Sequence, residues 1–250
     1  MARLDGRIAI VTGGGSGIGE ATALALAREG ASVAVVGRRA EPLEALVATL
    51  DAEGRTAFAL PGDVTDPDAV EGLVAQVRQR WGRIDVLVNS AGANVPRRDL
   101  ASLSVSDWEA VLRVNLTGTF LVTHAVLPIM REQRSGTVVN VSSIAGYRAM
   151  ALTGPAYNAA KAGVNAFTES INLADRRYGI RACAVCPGEV ATPILELRPQ
   201  PPTAEARALM LQPEDLAETI LFVATLPQRA TVELLTINPT EQRDWTAELR

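Results

Sequence analysis

The chain is short of several things, and each shortage narrows what it can be. Histidine occurs once in 250 residues, as His124. It falls in "FLVTHAVLP", an apolar helical pattern, so a packing role is expected of it rather than catalysis, and no metal site is expected. Cysteine occurs twice, as Cys183 and Cys186 in "RACAVCPG". C-x-x-C spacing invites a redox or metal reading, but the run is strand-like, and residues three apart on a strand face opposite sides. Two small buried thiols are expected instead. Aromatic residues make up only 4% of the chain, and Trp81, Trp108 and Trp245 are not spaced as a stacking platform. Basic residues are not in excess: 24 Lys and Arg against 28 Asp and Glu leave a net charge of −4. They are scattered, which argues against a nucleic-acid surface. No apolar run reaches about 18 residues, so no transmembrane helix is expected. The start, "MARLDGRIAIVTGGG", lacks an apolar core followed by a small-residue cleavage site. The N-x-[ST] matches at Asn115 and Asn140 would matter only in a secreted chain. The expectation is a cytoplasmic protein without nucleic-acid or membrane partners.

What is abundant is apolar, at 48% of residues, enough for a sizeable core. Short β-branched runs alternate with longer helical patterns. Strands are expected at 7–12, 31–37, 55–60, 84–90, 136–143, 180–186 and 232–238. Helices are expected at 17–30, 40–53, 66–82, 107–131, 155–178 and 213–225. Gly30 and Gly82 are placed to end helices, and Pro67 to open one. Alternation of this kind, with strands apolar on both faces, implies a parallel sheet of about seven strands covered by helices on both sides. One doubly wound α/β domain over 1–250 is expected, with a covering loop at 193–212 and a tail at 239–250. Its ligand crevice should lie beyond the carboxyl ends of the strands, where strand order reverses.

The loop "TGGGSGIG" (12–19) joins the first strand to the first helix. Gly13, Gly17 and Gly19 fit G-x-x-x-G-x-G. Gly13 permits the turn off the strand, Gly17 lets backbone N–H groups approach a pyrophosphate at the helix N-terminus, and Gly19 allows close packing of helix on sheet. Ser16 and Ile18 between them are further candidate cofactor contacts. At the end of the second strand stands "GRR" (37–39) where a carboxylate would hold two ribose hydroxyls. Arg38 and Arg39 suit a 2′-phosphate instead, so NADP(H) is the expected cofactor. "GDV" (62–64) places Asp63 and Val64 where they could line an adenine pocket.

In "YNAAK" (157–161), Tyr157 and Lys161 are four residues apart in a helical pattern, so both reach one space. An ammonium ~4 Å from a phenol, at an effective dielectric of about 20, favours the phenolate by roughly 4 kcal/mol. That corresponds to about three pKa units before desolvation opposes it.

Together these motifs resemble the short-chain dehydrogenases/reductases, over the chain to about residue 226. The resemblance is carried by "TGGGSGIG" (12–19), "NSAG" (89–92), Asn115 in "RVNLTG", "VSSIAG" (141–146), "YNAAK" and "PGEVATP" (187–193). It implies a Rossmann-type fold and an oxidoreductase. It implies Tyr157 as the catalytic acid/base, Lys161 as its partner, Ser143 rather than Ser142 as the donor to the substrate oxygen, and Asn115 as organiser of a water relay. Asn89, Ala91 and Gly92 would line the cofactor ribose and nicotinamide. Pro187, Gly188, Val190 and Thr192 would frame the carboxamide, and Lys161 would also hold the ribose. Ala159 and Ala160 would leave room for the cofactor.

The implied reaction moves a hydride between NADP(H) and a small ketone or secondary alcohol. The alternatives are a short 3-hydroxy acid (serine-like) dehydrogenase, a 3-oxoacyl reductase, or a non-catalytic nucleotide-binding sensor. The ending "VELLTINPTEQRDWTAELR" departs from the Gly-rich ending of many members and resembles the 3-hydroxy acid branch, against an acyl-carrier-protein reductase. Arg148 or Arg198 could bind a substrate carboxylate, or each could be a solvated loop residue. Met150, Ala151 and Leu152 suggest an apolar wall. The two long helices are candidates for packing a homotetramer or homodimer, and Trp245 for burial against a neighbour.

Overall fold

Seven strands form a single sheet in the computed structural model, which describes residues 2–241, 243 and 244. They are β1 (Ile8–Thr12), β2 (Ser32–Gly37), β3 (Ala57–Pro61), β4 (Val86–Asn89), β5 (Gly136–Val141), β6 (Ile180–Pro187) and β7 (Leu234–Ile237). The order is β3-β2-β1-β4-β5-β6-β7 and every pairing is parallel. Residues of β1, β5 and β6 are buried throughout, as strands covered on both faces must be. Parallel neighbours need crossovers, and helices supply them: α1 (Gly17–Arg28), α2 (Ala40–Ala52), α3 (Pro67–Trp81), α4 (Val105–Leu112), α5 (Gly118–Gln133), α6 (Pro155–Asp175), α7 (Ala204–Ala208) and α8 (Pro213–Thr225).

The core has two halves, one on each sheet face. One joins Val11, Val35 and Val185 to Leu26 of α1, Leu43 of α2 and Ile220 of α8. The other joins Ile10, Leu87 and Val138 to Val77 of α3, Val126 and Met130 of α5, and Ile171 of α6. The helix ends follow the local chemistry. Asp66 caps α3, accepting from the N–H groups of Asp68 and Ala69, and Gly82 ends it at φ 76°. Strand order reverses between β1 and β4, so the crevice expected from the sequence opens above Thr12 and Asn89.

Three segments differ from the sequence expectation. The helix expected over 107–131 runs from Val105 to Gln133 but is interrupted by a π turn, Arg113–Thr117, centred on Asn115. Helical periodicity carries no sign of one wide turn, and such turns often sit at functional sites. With a window of mean hydropathy 1.4 inside it, this stretch is long and apolar enough by length and composition to cross a membrane. Polar residues interrupt it, so it shows no continuous apolar run. Its buried side chains, Val122, Val126 and Met130 among them, pack on the sheet. The strand expected to reach residue 143 stops at Val141, which frees Ser142 and Ser143. The covering loop is partly ordered: a 3₁₀ turn, Pro193–Leu197, and the short helix α7 lie within it. Trp245 and residues 246–250 of the expected tail lie outside the described residues.

Candidate active site

A cleft of about 450 Å³ opens at the strand-order reversal. Gly13, Ser16, Arg38, Arg39, Asp63, Val64, Ala91 and Gly92, all candidates from the sequence, line it. Gly15 of the same loop lines it too, as do Pro42, Leu43 and Val114, which carried no motif signal. Gly13 sits at φ 68°, and a Cβ there would lie 2.9 Å from the Ala91 nitrogen. Gly17 sits at φ 55° against the Thr192 methyl. A Cβ on Gly19 would overlap the Gly13 carbonyl. Gly19 therefore lets the loop close on itself, a correction to the helix-on-sheet role read from the sequence. Thr12 fixes the far wall, its Oγ1 accepting from the N–H groups of Ser90 and Ala91 at 3.1 Å.

The groups a dinucleotide would need are uncommitted. Ser16 is the N-cap of α1 but makes no side-chain cap bond. Arg38 and Arg39 are exposed at the cleft and make no hydrogen bond or ion pair among the described residues. Two cations at the end of β2 and a helix N-terminus at the middle of the cleft suit a phosphorylated ligand. Asp63 accepts from the Thr65 N–H at 2.9 Å and so shapes the turn it occupies. Asn89 does not turn its side chain to the cleft. Its Nδ2 donates to Thr123 and to Asn140, which donates to Thr168, a buried chain linking β4 and β5 to α5 and α6.

A second cavity of about 110 Å³ adjoins the loop. Ile18, Gly188, Val190 and Thr192 line it together with Ser143. Pro187 is buried at the end of β6. Ser143 Oγ accepts from the Ala145 N–H at 3.1 Å, which leaves its own O–H to donate. Ser142 Oγ instead donates to the Lys161 carbonyl at 3.2 Å. The two adjacent serines thus face opposite ways, and only Ser143 reaches a cavity.

Tyr157 and Lys161 lie on the first turns of α6, and Lys161 Nζ is 5.4 Å from the Tyr157 ring centroid. The ammonium donates to the Val141 carbonyl at 2.8 Å. Burial pulls Lys161 down to about 8, with Cys186 opposing. Burial likewise pushes the Tyr157 phenol up to about 12, and the charge that opposes this is Arg98. The sequence argument placed an acidifying ammonium beside the phenol. In the chain alone desolvation sets the direction at the phenol, and Lys161 is tied to a backbone carbonyl with its Nζ over the ring. Asn115 is fully buried in the π turn, its Nδ2 donating to Ala93 at 2.7 Å and Val111 at 2.8 Å. Its Oδ1 has no partner among the described residues, an acceptor that a water or ligand would satisfy. Ala160 is buried against Val111 and Ala156. It makes room for α4, not for a cofactor, while Ala159 is exposed.

Beyond Ser143 lies a third cavity, about 270 Å³, sharing Ile144, Met150, Gly188 and Glu189 with the second. Met150, Ala151 and Leu152 form walls here as expected. Arg148 is exposed at its edge. Arg198 is not a solvated loop residue, for it lies 2.9 Å from Glu189 Oε1. Arg243 binds the same carboxylate twice, through Nε at 2.9 Å and Nη2 at 2.6 Å. The sequence reading missed Glu189, Arg243 and Arg98, whose partners lie far along the chain. His124 stacks on Phe120, centroids 5.4 Å apart, as its packing assignment implied. Cys183 and Cys186 are free and buried. Among the described residues no cluster of potential metal ligands occurs.

A family model described as short chain dehydrogenase matches residues 7–202. A 3-oxoacyl-[acyl-carrier-protein] reductase of Synechocystis is 41% identical over 244 residues, covering 95% of this chain and 97% of the relative. One from Thermotoga maritima is 42% identical, covering 89% and 92%. A variant of actinorhodin polyketide ketoreductase, solved with NADPH, superimposes with a TM-score of 0.86 at 34% identity, covering 96% and 98%.

Proposed function

Since this chain belongs to the short chain dehydrogenase family, we propose that it is an NADP(H)-dependent oxidoreductase interconverting a small ketone and a secondary alcohol. The observation that carries this reading is that two cavities flank one glycine loop, Ser16 lining the large cleft and Ile18 the smaller cavity. Ser143, with an O–H to donate, lines the smaller one beside Ile18 and Thr192, which border the glycine loop of the large cleft.

Gly13, Ser16 and the α1 N-terminus would hold the pyrophosphate, and Arg38 with Arg39 the 2′-phosphate. The structure of a relative with NADPH supports that choice. The bound nicotinamide would supply or accept the hydride. The remaining work falls to side chains. Ser143 donates to the substrate oxygen and polarises the carbonyl. Tyr157, protonated at neutral pH with its pKa near about 12, gives its proton as the alkoxide forms. In the oxidative direction the phenolate takes that proton, and nearby cations favour it. Lys161, fixed by the Val141 carbonyl, and Asn115, with its unpartnered Oδ1, stand behind Tyr157 to pass protons through water. Exposed Phe120 of α5 and Leu173 of α6 support assembly through those helices, and the two free thiols support a reducing cytoplasm.

A second reading, 3-oxoacyl reduction, is favoured by the names of the Synechocystis and Thermotoga relatives. Retention of Ser143, Tyr157 and Lys161 disfavours a non-catalytic sensor. The test is Tyr157→Phe assayed by reduced-nicotinamide absorbance on small ketones, short 3-hydroxy acids and 3-oxoacyl thioesters. We expect kcat to fall about 10²–10⁴-fold with NADPH affinity, read by fluorescence, unchanged. Wild-type turnover in this variant would remove the reading. The best substrate in the panel separates the small-ketone reading from the acyl one.

A further inference from the structure

The chain after β7 runs along the substrate end of the site. The Gly188 N–H donates to the Ile237 carbonyl at 2.8 Å, so this segment begins beside the end of β6. It then presses on Gly188, where a Cβ would lie 2.6 Å from Asn238 Oδ1 and 3.2 Å from Pro239 Cδ. Gly188 lines both the Ser143 cavity and the cavity beyond it. Asn238, Pro239, Glu241 and Arg243 line the cavity beyond. Its other walls come from the turns after β5, through Ile144, Tyr147 and Met150, and from the covering loop, through Leu209 and Met210. Residues from three separate parts of the chain thus enclose one space next to Ser143, and the segment after β7 supplies one of its walls.

One ion pair fixes that wall. Glu189 follows Gly188 and also lines both cavities. Its carboxylate accepts from Arg243 Nε at 2.9 Å and Nη2 at 2.6 Å. Two bonds to one guanidinium set its orientation as well as its distance. Both side chains are little exposed, so salt screens the pair weakly. Arg198 of the covering loop holds the same carboxylate at 2.9 Å, and the two walls meet at one anchor. The enclosed volume is small. At about 270 Å³ the cavity falls just below the roughly 300–1,000 Å³ of sites that bury a drug-sized ligand. Arg243 is the largest side chain that the segment after β7 places on its lining. We propose that Arg243 is a specificity-determining residue: anchored on Glu189, it sets how long a chain the substrate cavity accepts and restricts the enzyme to short-chain ketones. This rests on the oxidoreductase reading and deepens it. A ketone with its oxygen at Ser143 extends one substituent past Met150 toward Met210, and its length is limited where that substituent meets the fixed guanidinium. Long 3-oxoacyl chains meet the same wall and are disfavoured.

The experiment measures kcat and KM for a series of straight-chain 2-ketones, from butanone upward, by reduced-nicotinamide absorbance. Wild type, Arg243→Ala and Arg243→Met are compared, with Tm and NADPH affinity recorded for each. Wild-type kcat/KM should fall beyond the length that fills the cavity. In Arg243→Ala the ratio of kcat/KM for the longest ketone to that for the shortest should rise about tenfold, the discrimination that one methylene carries in a fitted pocket. The change should appear in KM more than in kcat. NADPH affinity should not move, because Arg243 is outside the large cleft. A merely structural tie would lower Tm and leave the ratio as in wild type, and that result overturns the proposal. A wild type with no preference among lengths overturns it too. Arg243→Met loses the anchor but keeps most of the length. Should Arg243→Ala fail to fold, a rise in the same ratio in Arg243→Met upholds the proposal and an unchanged ratio overturns it. A wild type that binds NADPH yet reduces no ketone of the series removes the small-ketone reading beneath, and the proposal with it.

Discussion

The cofactor end and the substrate end of this site are built differently. The cofactor end is made of backbone. Gly13, Gly17 and Gly19 leave no volume for side chains, Thr12 fixes the facing turn through two N–H groups, and the Arg38 and Arg39 side chains at the rim have no partners among the described residues. The substrate end is made of charged side chains already engaged with one another. Glu189 holds Arg198 and Arg243, and Arg98 holds three carbonyls. A backbone cradle suits a ligand of fixed shape, because close approach tolerates no variation. A charged scaffold can be retuned by one substitution. On the proposed function, the difference would place affinity for the dinucleotide in the chain's path and choice of substrate in a handful of side chains.

The largest stability effect should come from breaking the charged scaffold. Arg198, Arg243 and Glu189 have side-chain exposures of 8%, 10% and 14%, so the cluster is little screened. Glu189→Gln leaves two guanidiniums around a neutral amide. We expect a loss of about 3 kcal/mol, or roughly 6–12 °C in Tm, with NADPH affinity changed less than about twofold. Calorimetry and a fluorescence titration check both parts. An unchanged Tm would show that the covering loop and the 243–244 segment are held by something other than charge, and the comparison would fail at this end.

A smaller effect is expected at the cradle, and of the opposite kind. Gly19→Ala drives a methyl into the Gly13 carbonyl. Overpacking of this sort costs about 1–3 kcal/mol. The loop can relieve it only by moving, so NADPH affinity should fall more than tenfold while the substrate-side charges stay in place. If stability falls and NADPH binding does not, the loop is not the cradle.

The same division explains what the sequence made legible. The glycine loop, the strand ends and the Tyr157–Lys161 pair are local signals: spacing of a few residues fixes geometry within one turn or one loop. Seven parallel strands followed from alternation alone. Arg98 and Leu197 are 99 residues apart, and Arg243 and Glu189 are 54 apart. No local pattern announces such pairs, so Arg198 read as a substrate-carboxylate binder or a solvated loop residue, and Arg98 as nothing at all. The π turn at Asn115 escaped because an apolar helical period continues through it. The Lys161 argument was right in placing the pair together. It lacked the Val141 carbonyl, which comes from the end of a strand 20 residues earlier, and it named desolvation as opposing without the weight that burial gives it at the phenol.

The smallest effect tests whether the cradle's rim, rather than its backbone, selects the dinucleotide. Arg38 and Arg39 project at the end of β2 without partners among the described residues, so Arg38→Ala should leave the unfolding free energy within about 0.5 kcal/mol of wild type. One charge-assisted bond to a 2′-phosphate is worth about 1.4 kcal/mol, a tenfold loss of NADPH affinity. NADH affinity should not fall, since NADH has no 2′-phosphate to lose. Fluorescence titration with both nucleotides reads the ratio directly. Equal affinity for NADH and NADPH in the wild type would mean that the exposed arginines are solvated rim residues. The cleft would then hold the parts common to both nucleotides, through its backbone and through lining residues such as Asp63 and Val64, and would not select between them.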